Sequence, residues 1–252
     1  MPLRKLKACL RNWVMAFIYP VPLLGILYLP RFLRDLVRYR SLEKNKKIRF
    51  SDLYPCLLDS TINTSFDAHY FYQGAWLSRK LKALNIQNHV DIASSVLTVS
   101  VLSAFVKVVF VDYRPLKTNL SGLKSLPGDI LNLPFESGSQ SSVSCLHVIE
   151  HIGLGRYGDP LNPKGTAEAA LELQRVLATG GSLFIALPIG RERICFNAHR
   201  VHSPETVLHL FPDLKLVDFS YVDDDGQFYP NAKIGVANSL DYGCGLYHFH
   251  KS

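Results

Sequence analysis

No C-x-x-C pair occurs in this chain. Its five cysteines, Cys9, Cys56, Cys145, Cys195 and Cys244, are scattered and odd in number. This excludes a disulfide framework and a zinc ribbon, and it points to a reducing, cytoplasmic setting. From residue 50 onward the chain also lacks a basic excess: 16 Lys/Arg stand against 19 Asp/Glu. A nucleic-acid-binding surface is therefore not expected there. The overall charge of +7 is carried by residues 1–49, with 12 Lys/Arg against 2 Asp/Glu.

Within that basic arm, Trp13 to Pro30 has no charged residue. No small-residue cleavage site follows it, so it does not read as a secretory leader. Pro20, Pro22 and Gly25 interrupt the run, and its length is at the lower limit for a membrane span. Arg4, Lys5, Lys7 and Arg11 flank one end; Arg31, Arg34, Arg38 and Arg40 flank the other. Residues 1–40 are therefore expected to attach to an anionic membrane surface, on its inner, cytoplasmic face. The competing reading is a helix packed on the domain with its arginines in water.

The remainder alternates strand and helix patterns. An apolar run, Val143–Ile149, ends in Glu150-His151-Ile152-Gly153. A helix-period segment follows from Thr166 to Leu177, and Gly180-Gly181 is expected to stop it. A second apolar run, Ser182–Leu187, leads into Pro188. Strand–helix–strand at this length predicts a right-handed parallel crossover in an α/β sheet. Such sheets bind ligands at the C-terminal ends of their strands. Upstream, Asp67 is a predicted N-cap of a helix through Leu84.

The order "VSCLHVIEHIG…LELQRVLATGGSLFIALP" resembles the second half of a class I S-adenosylmethionine-dependent methyltransferase. More closely, "HIGLGRYGDP" and "GRERICFNAHRVHSPET" resemble an uncharacterised methyltransferase-like family often found beside surface-glycan genes. The resemblance runs from about Asp67 onward. It implies a Rossmann-like, mostly parallel, seven-strand-like sheet with helices on both faces. Residues 1–50 are then an arm and residues 51–252 the domain. It also implies S-adenosylmethionine as cofactor and a glycan or lipid-linked sugar as acceptor.

Carried onto this sequence, the resemblance places the cofactor between Asp91, the turn Ala93-Ser94-Ser95, Asp112, Asp129 and His147. Asp112 is assigned to ribose hydroxyls and Asp129 to the adenine amine. The family's glycine-rich turn is missing here, because Ala93-Ser94-Ser95 has no glycine. Those residues fit a turn that needs no positive φ. His151 is the expected general base for an acceptor hydroxyl, with Glu150 orienting it. Arg156, Tyr157, Asp159, Arg191, Arg193, Asn197 and His199 are the expected acceptor contacts. A catalytically silent relative that binds a nucleotide or glycan intermediate remains the alternative.

His147-Val148-Ile149-Glu150-His151 also fits H-x-x-E-H, a zinc-protease pattern. On a strand, though, those histidines stand about 13 Å apart, so no metal centre is expected from them. Asp223-Asp224-Asp225-Gly226 reads as a turn, and Ser203-Pro204-Glu205 as a helix start.

Overall fold

The computed structural model describes residues 25–42 and 47–252. The chain divides into two compact units, Met1–Ser65 and Phe66–Ser252. In the first, α1 (Leu29–Leu42) is the main described element. Most of the expected membrane-attaching segment, residues 1–40, lies outside the described residues. Among the described residues, no helix is long and apolar enough to cross a membrane.

The second unit opens with α2 (Ala68–Ala83), capped by the Asp67 side chain, which accepts from the Tyr70 amide. In order there follow β1 (Asn88–Ile92), α3 (Val96–Leu102), β2 (Lys107–Asp112), β3 (Leu123–Pro127) and β4 (Gln140–Leu146). Then come α4 (Gly165–Val176), β5 (Leu177–Ile189), β6 (Arg193–Cys195), β7 (His199–Val201) and α5 (Pro204–Leu210). Strands β8 (Leu214–Val222), β9 (Phe228–Tyr229) and β10 (Gly243–Lys251) complete it.

The main sheet has eight strands in the order β3-β2-β1-β4-β5-β10-β8-β9. The first five are parallel, as the crossover pattern predicts. Strand β10 is antiparallel to both of its neighbours, so the sheet is mixed. Strand alternation sorts the core onto two faces. Val143, Cys145, Leu183 and Ile185 pack with Ala169 and Leu173 of α4. Phe184, Ala186 and Leu246 pack on the other face with Trp76, Leu77 and Leu81 of α2.

Three local expectations are corrected. Strand β4 stops at Leu146, short of Ile149, because His147 turns left-handed at φ +56° and Ile149–His151 coils into a 3-10 turn. Helix α4 ends at Val176, and Leu177 is already extended. Gly180, at φ +78°, therefore makes a bend inside β5 and is not a helix cap. The two other turn readings hold. Ser203 caps α5, and Asp223 accepts from the Asp225 and Gln227 amides in the turn before β9.

Candidate functional site

The turn after β1 is held by its own side chains. Asp91 is fully buried and accepts from the Ser94 amide at 3.1 Å and from the Ser144 hydroxyl. Ser94 Oγ in turn accepts from the Leu146 amide on β4 at 3.0 Å. These bonds pin the turn to the neighbouring strand. Ser95 is the N-cap residue of α3 without a side-chain cap bond. Contrary to expectation, none of Asp91, Ser94 and Ser95 lines the cavity at the strand ends; Ala93 does. Ala93 has φ +52°, so the turn requires the left-handed conformation after all. A glycine adopts it freely, whereas alanine bears a steric cost.

The cavity has a volume of about 350 Å³ and sits at the C-terminal ends of β1, β2 and β4. Asp112 and Asp129 both line it. One Asp112 oxygen accepts from the Arg114 amide at 2.7 Å, and one Asp129 oxygen accepts from the Leu131 amide at 2.9 Å. In each carboxylate the second oxygen has no protein partner among the described residues. Ile92, Val111, Ile130 and Leu131 supply apolar walls.

His147 and His151 also line the cavity and share one carboxylate. Glu150 is fully buried; its Oε1 lies 2.9 Å from His147 Nδ1 and 3.7 Å from His151 Nε2. Its Oε2 is buried without a partner. The 13 Å separation expected of the two histidines assumed a strand; the left-handed His147 and the 3-10 turn fold both rings onto Glu150 instead. Burial opposes ionisation of both His147 and Glu150. The contacts of His147 with Cys244 and Glu150 outweigh this and raise its pKa well above the usual value. The contacts with His147 and His151 hold Glu150 below the usual carboxylate range.

His151 Nδ1 lies 2.6 Å from the Ala198 carbonyl oxygen. Two acceptors cannot sit that close, so Nδ1 carries a proton and donates it. In the neutral ring the lone pair is then on Nε2, the nitrogen nearer Glu150. Burial lowers the His151 pKa, and the Glu150 charge pulls it back upward. The arrangement is a neutral base with a carboxylate placed to stabilise its protonated form.

Of the expected acceptor contacts, Tyr157 and Asp159 line the cavity. Asp159 accepts from the Gly153 and Tyr157 amides and so shapes that loop. Arg114 and Arg156 both lie over the Tyr157 ring at 5.2 Å. His199 stands beside His151, with ring centroids 6.4 Å apart. Arg191 and Arg193 do not reach the cavity. Arg191 pairs with Asp241, and Arg193 donates to the carbonyls of Arg191 and Asp241. Asn197 stays outside it as well, in the connection between β6 and β7. The buried Arg200 donates to Ile152, Asn162 and Thr166 and locks the β4 loop.

Sequence reading missed Tyr113, Arg114, Ile130 and Leu131 in the lining. The available signal was adjacency, since each directly follows an acid already singled out or lies one residue beyond it. It also missed Tyr242 and Cys244, which come from the distant β10 region. Tyr242 lies 5.2 Å from the His199 ring, and Cys244 Sγ lies 3.3 Å from His147 Nε2.

The donor set can be tested against S-adenosylmethionine. Two half-free carboxylates facing one apolar cavity suit a nucleoside, whose ribose hydroxyls and exocyclic amine are donors. The adenosine half therefore fits Asp112 and Asp129. The turn offers less to the methionine half. The Ala93 amide is already bonded to the Val111 carbonyl at 2.8 Å, and the Ser94 amide to Asp91.

A family model described as "Caenorhabditis protein of unknown function, DUF268" matches residues 135–227. No curated protein matches the chain. Solved structures do. The YcgJ protein from Bacillus subtilis is 13% identical with a TM-score of 0.51, over 72% of this chain and 98% of that one. The N-methyltransferase NodS from Bradyrhizobium japonicum, in complex with S-adenosyl-L-homocysteine, is 15% identical with a TM-score of 0.51, over 72% of this chain and 87% of that one. A geranyl diphosphate methyltransferase in complex with S-adenosylmethionine is 14% identical with a TM-score of 0.51, over 72% and 85%. At such identities the likeness establishes the fold: the α/β, Rossmann-like methyltransferase fold with a mostly parallel central sheet.

Proposed function

We propose that this protein binds S-adenosylmethionine in the cavity at the ends of β1, β2 and β4 and methylates a hydroxyl on a glycan or lipid-linked sugar. The observation that carries this reading is that Asp112, Asp129 and His151 line one cavity. When bound, the cofactor supplies a methyl group on a sulfonium, which needs only an aligned nucleophile. Asp112 holds the ribose hydroxyls through its free oxygen, and Asp129 accepts from the adenine amine. His151 Nε2 would take the acceptor hydroxyl proton, and Glu150 would stabilise the resulting imidazolium. Tyr157, flanked by two guanidinium groups, borders the acceptor side and suits an anionic sugar derivative.

Calorimetric titration with S-adenosylhomocysteine tests the donor site. Micromolar binding that disappears in Asp112→Ala supports the reading; no binding to the wild type overturns it. Methyl transfer from labelled cofactor into membrane extracts tests the acceptor class.

One observation favours a second reading, a silent relative that binds a nucleotide or glycan intermediate. The turn that should receive the methionine moiety has a left-handed alanine and spends its first two amides internally. Tight nucleotide binding without transfer to any membrane acceptor supports that alternative.

Attachment to an anionic membrane is part of the proposal. In α1, Leu29, Leu33, Leu36 and Val37 recur at helical spacing, and Leu33 and Val37 are exposed. Arg31, Arg34, Arg38 and Arg40 surround them, as in a helix lying at a headgroup boundary. Deleting residues 1–40 should abolish cosedimentation with anionic liposomes, and unchanged cosedimentation contradicts it.

A further inference from the structure

We propose that His69, His147 and Cys244 form a site for one divalent transition-metal ion of the zinc class, with a coordination position left open. The three residues come from α2, the end of β4 and the start of β10. Their ligand atoms all lie within 4.8 Å of one another. His147 Nε2 and Cys244 Sγ are 3.3 Å apart. Around a tetrahedral ion with bonds of roughly 2.0–2.3 Å, donor atoms stand about 3.3–3.8 Å apart. One pair is thus already at coordination distance, and the third ligand has on the order of an ångström to travel.

Three further features point the same way. His147 Nδ1 is engaged by the buried Glu150, which fixes the ring and turns Nε2 toward the sulfur. A carboxylate behind an imidazole is the usual outer support of a metal-bound histidine. His69 is partly buried, yet among the described residues neither of its ring nitrogens hydrogen-bonds to protein. A thiol–imidazole hydrogen bond alone does not explain a second histidine beside it. Finally, His147 lines the cavity, which places one of the three ligands at its wall beside the fully buried Cys244.

Closure requires one movement. The His69 and His147 rings are stacked at 5.5 Å with planes 14° apart, so their in-plane lone pairs lie in nearly parallel, offset planes and do not converge on one ion. His69, in the first turn of α2, must rotate about its side-chain bonds to face the ion. Binding also releases to solvent the proton between Cys244 Sγ and His147 Nε2, because the thiolate and the unprotonated Nε2 are the ligands. Two imidazoles and one thiolate select zinc-like over magnesium-like ions. An ion there, on the cavity wall, is placed to acidify a bound hydroxyl or thiol. The site itself does not depend on the cavity taking S-adenosylmethionine.

The test is titration of the full, chelator-stripped chain with cobalt(II), followed by zinc. The expected result is one equivalent bound, a near-ultraviolet thiolate-to-cobalt band, and loss of that band on adding zinc. Cys244→Ser should remove the band. His69→Ala should weaken binding by more than the roughly 10–100-fold loss expected of Glu150→Gln. Cys56→Ser, at an exposed thiol, should change nothing. Absence of the band, or its persistence in Cys244→Ser, overturns the site. If Cys244→Ser does not fold, His69→Ala decides, because an unchanged affinity there is equally fatal. S-adenosylhomocysteine titrations of the same variants report on the donor cavity separately.

Discussion

His89 and Asp91 reach the same hydroxyl from two positions on one strand. Ser144 Oγ donates to Asp91 and lies 2.8 Å from His89 Nε2. Since the serine proton goes to the carboxylate, the serine oxygen accepts the Nε2–H of a neutral imidazole. Nδ1 then accepts from the Ser142 hydroxyl at 2.7 Å. Burial lowers the His89 pKa to about 3. Burial raises that of Asp91 to about 6, with Ser144 and Ser94 pulling against it.

The two shifts have opposite consequences for acid stability. From pH 6.5 down to about 3, the unfolded chain binds a proton at residue 89 that the native state does not. His89 alone therefore makes stability fall as pH falls. Between about pH 6 and 3.8, the native state binds the extra proton at Asp91, so that residue alone makes stability rise as pH falls. Asp91→Asn should steepen the acid loss below pH 6.5, while His89→Gln should leave a gain from pH 6 toward 4. Urea unfolding across that range measures both, and identical acid limbs in the two variants would exclude the opposed roles of His89 and Asp91.

Asp112 is tested by affinity. Asp112→Ala should lose two charge-assisted hydrogen bonds to ribose, about 2–4 kcal/mol of S-adenosylhomocysteine binding. Asp112→Asn should keep part of it. Calorimetry provides the numbers, and an unchanged affinity in Asp112→Ala removes the ribose assignment.

Ala93→Gly should act on both stability and ligand. Releasing a left-handed alanine returns about 1–2 kcal/mol, less about 0.4–1 kcal/mol for the more flexible unfolded chain. A small net stabilisation is expected in thermal or urea unfolding. Because Ala93 lines the cavity, removing its Cβ should also tighten S-adenosylhomocysteine binding. Weaker binding in Ala93→Gly would mean that the methyl group contacts the ligand favourably.

For His151, the predicted readout is a pH profile. Its neutral form is the base, and its pKa lies below 6.5, so methyl transfer should fall on acidification with a midpoint below that value. The Glu150 charge raises the His151 pKa; Glu150→Gln should shift the midpoint further down. His151→Ala should slow transfer by roughly 10²–10⁴ with little change in cofactor affinity. A full rate in His151→Ala leaves positioning as the only catalytic device.

The parallel half of the fold was legible because each apolar run is short and ends at a polar residue. The cavity positions of Asp112 and Asp129 were legible too, as an acid that ends one strand and an acid two residues past the next. What escaped was set by backbone conformation and by distance along the chain. Nothing in Ala93-Ser94-Ser95 announces a positive φ, since the residue types that usually reveal one are absent. Asp91 looked like a ligand contact because its type and position were right, but Ser144, which engages it, lies on another strand. The proximity of His147 to Cys244 depends on where β10 inserts, and no local pattern encodes that.

That insertion constrains how the protein is made. Strand β10 lies between β5 and β8, so it closes the sheet from its middle rather than at an edge. Every residue lining the cavity precedes β8, yet β8 and β9 join the sheet only through β10. A chain without β10 in place exposes the unpaired edge of β5 as well as that of β8, a hazard for edge-to-edge association. The final topology requires Gly243–Lys251 to pair with both strands. The same strand brings Cys244 to His147, so the pairing that completes the sheet also assembles the proposed metal site.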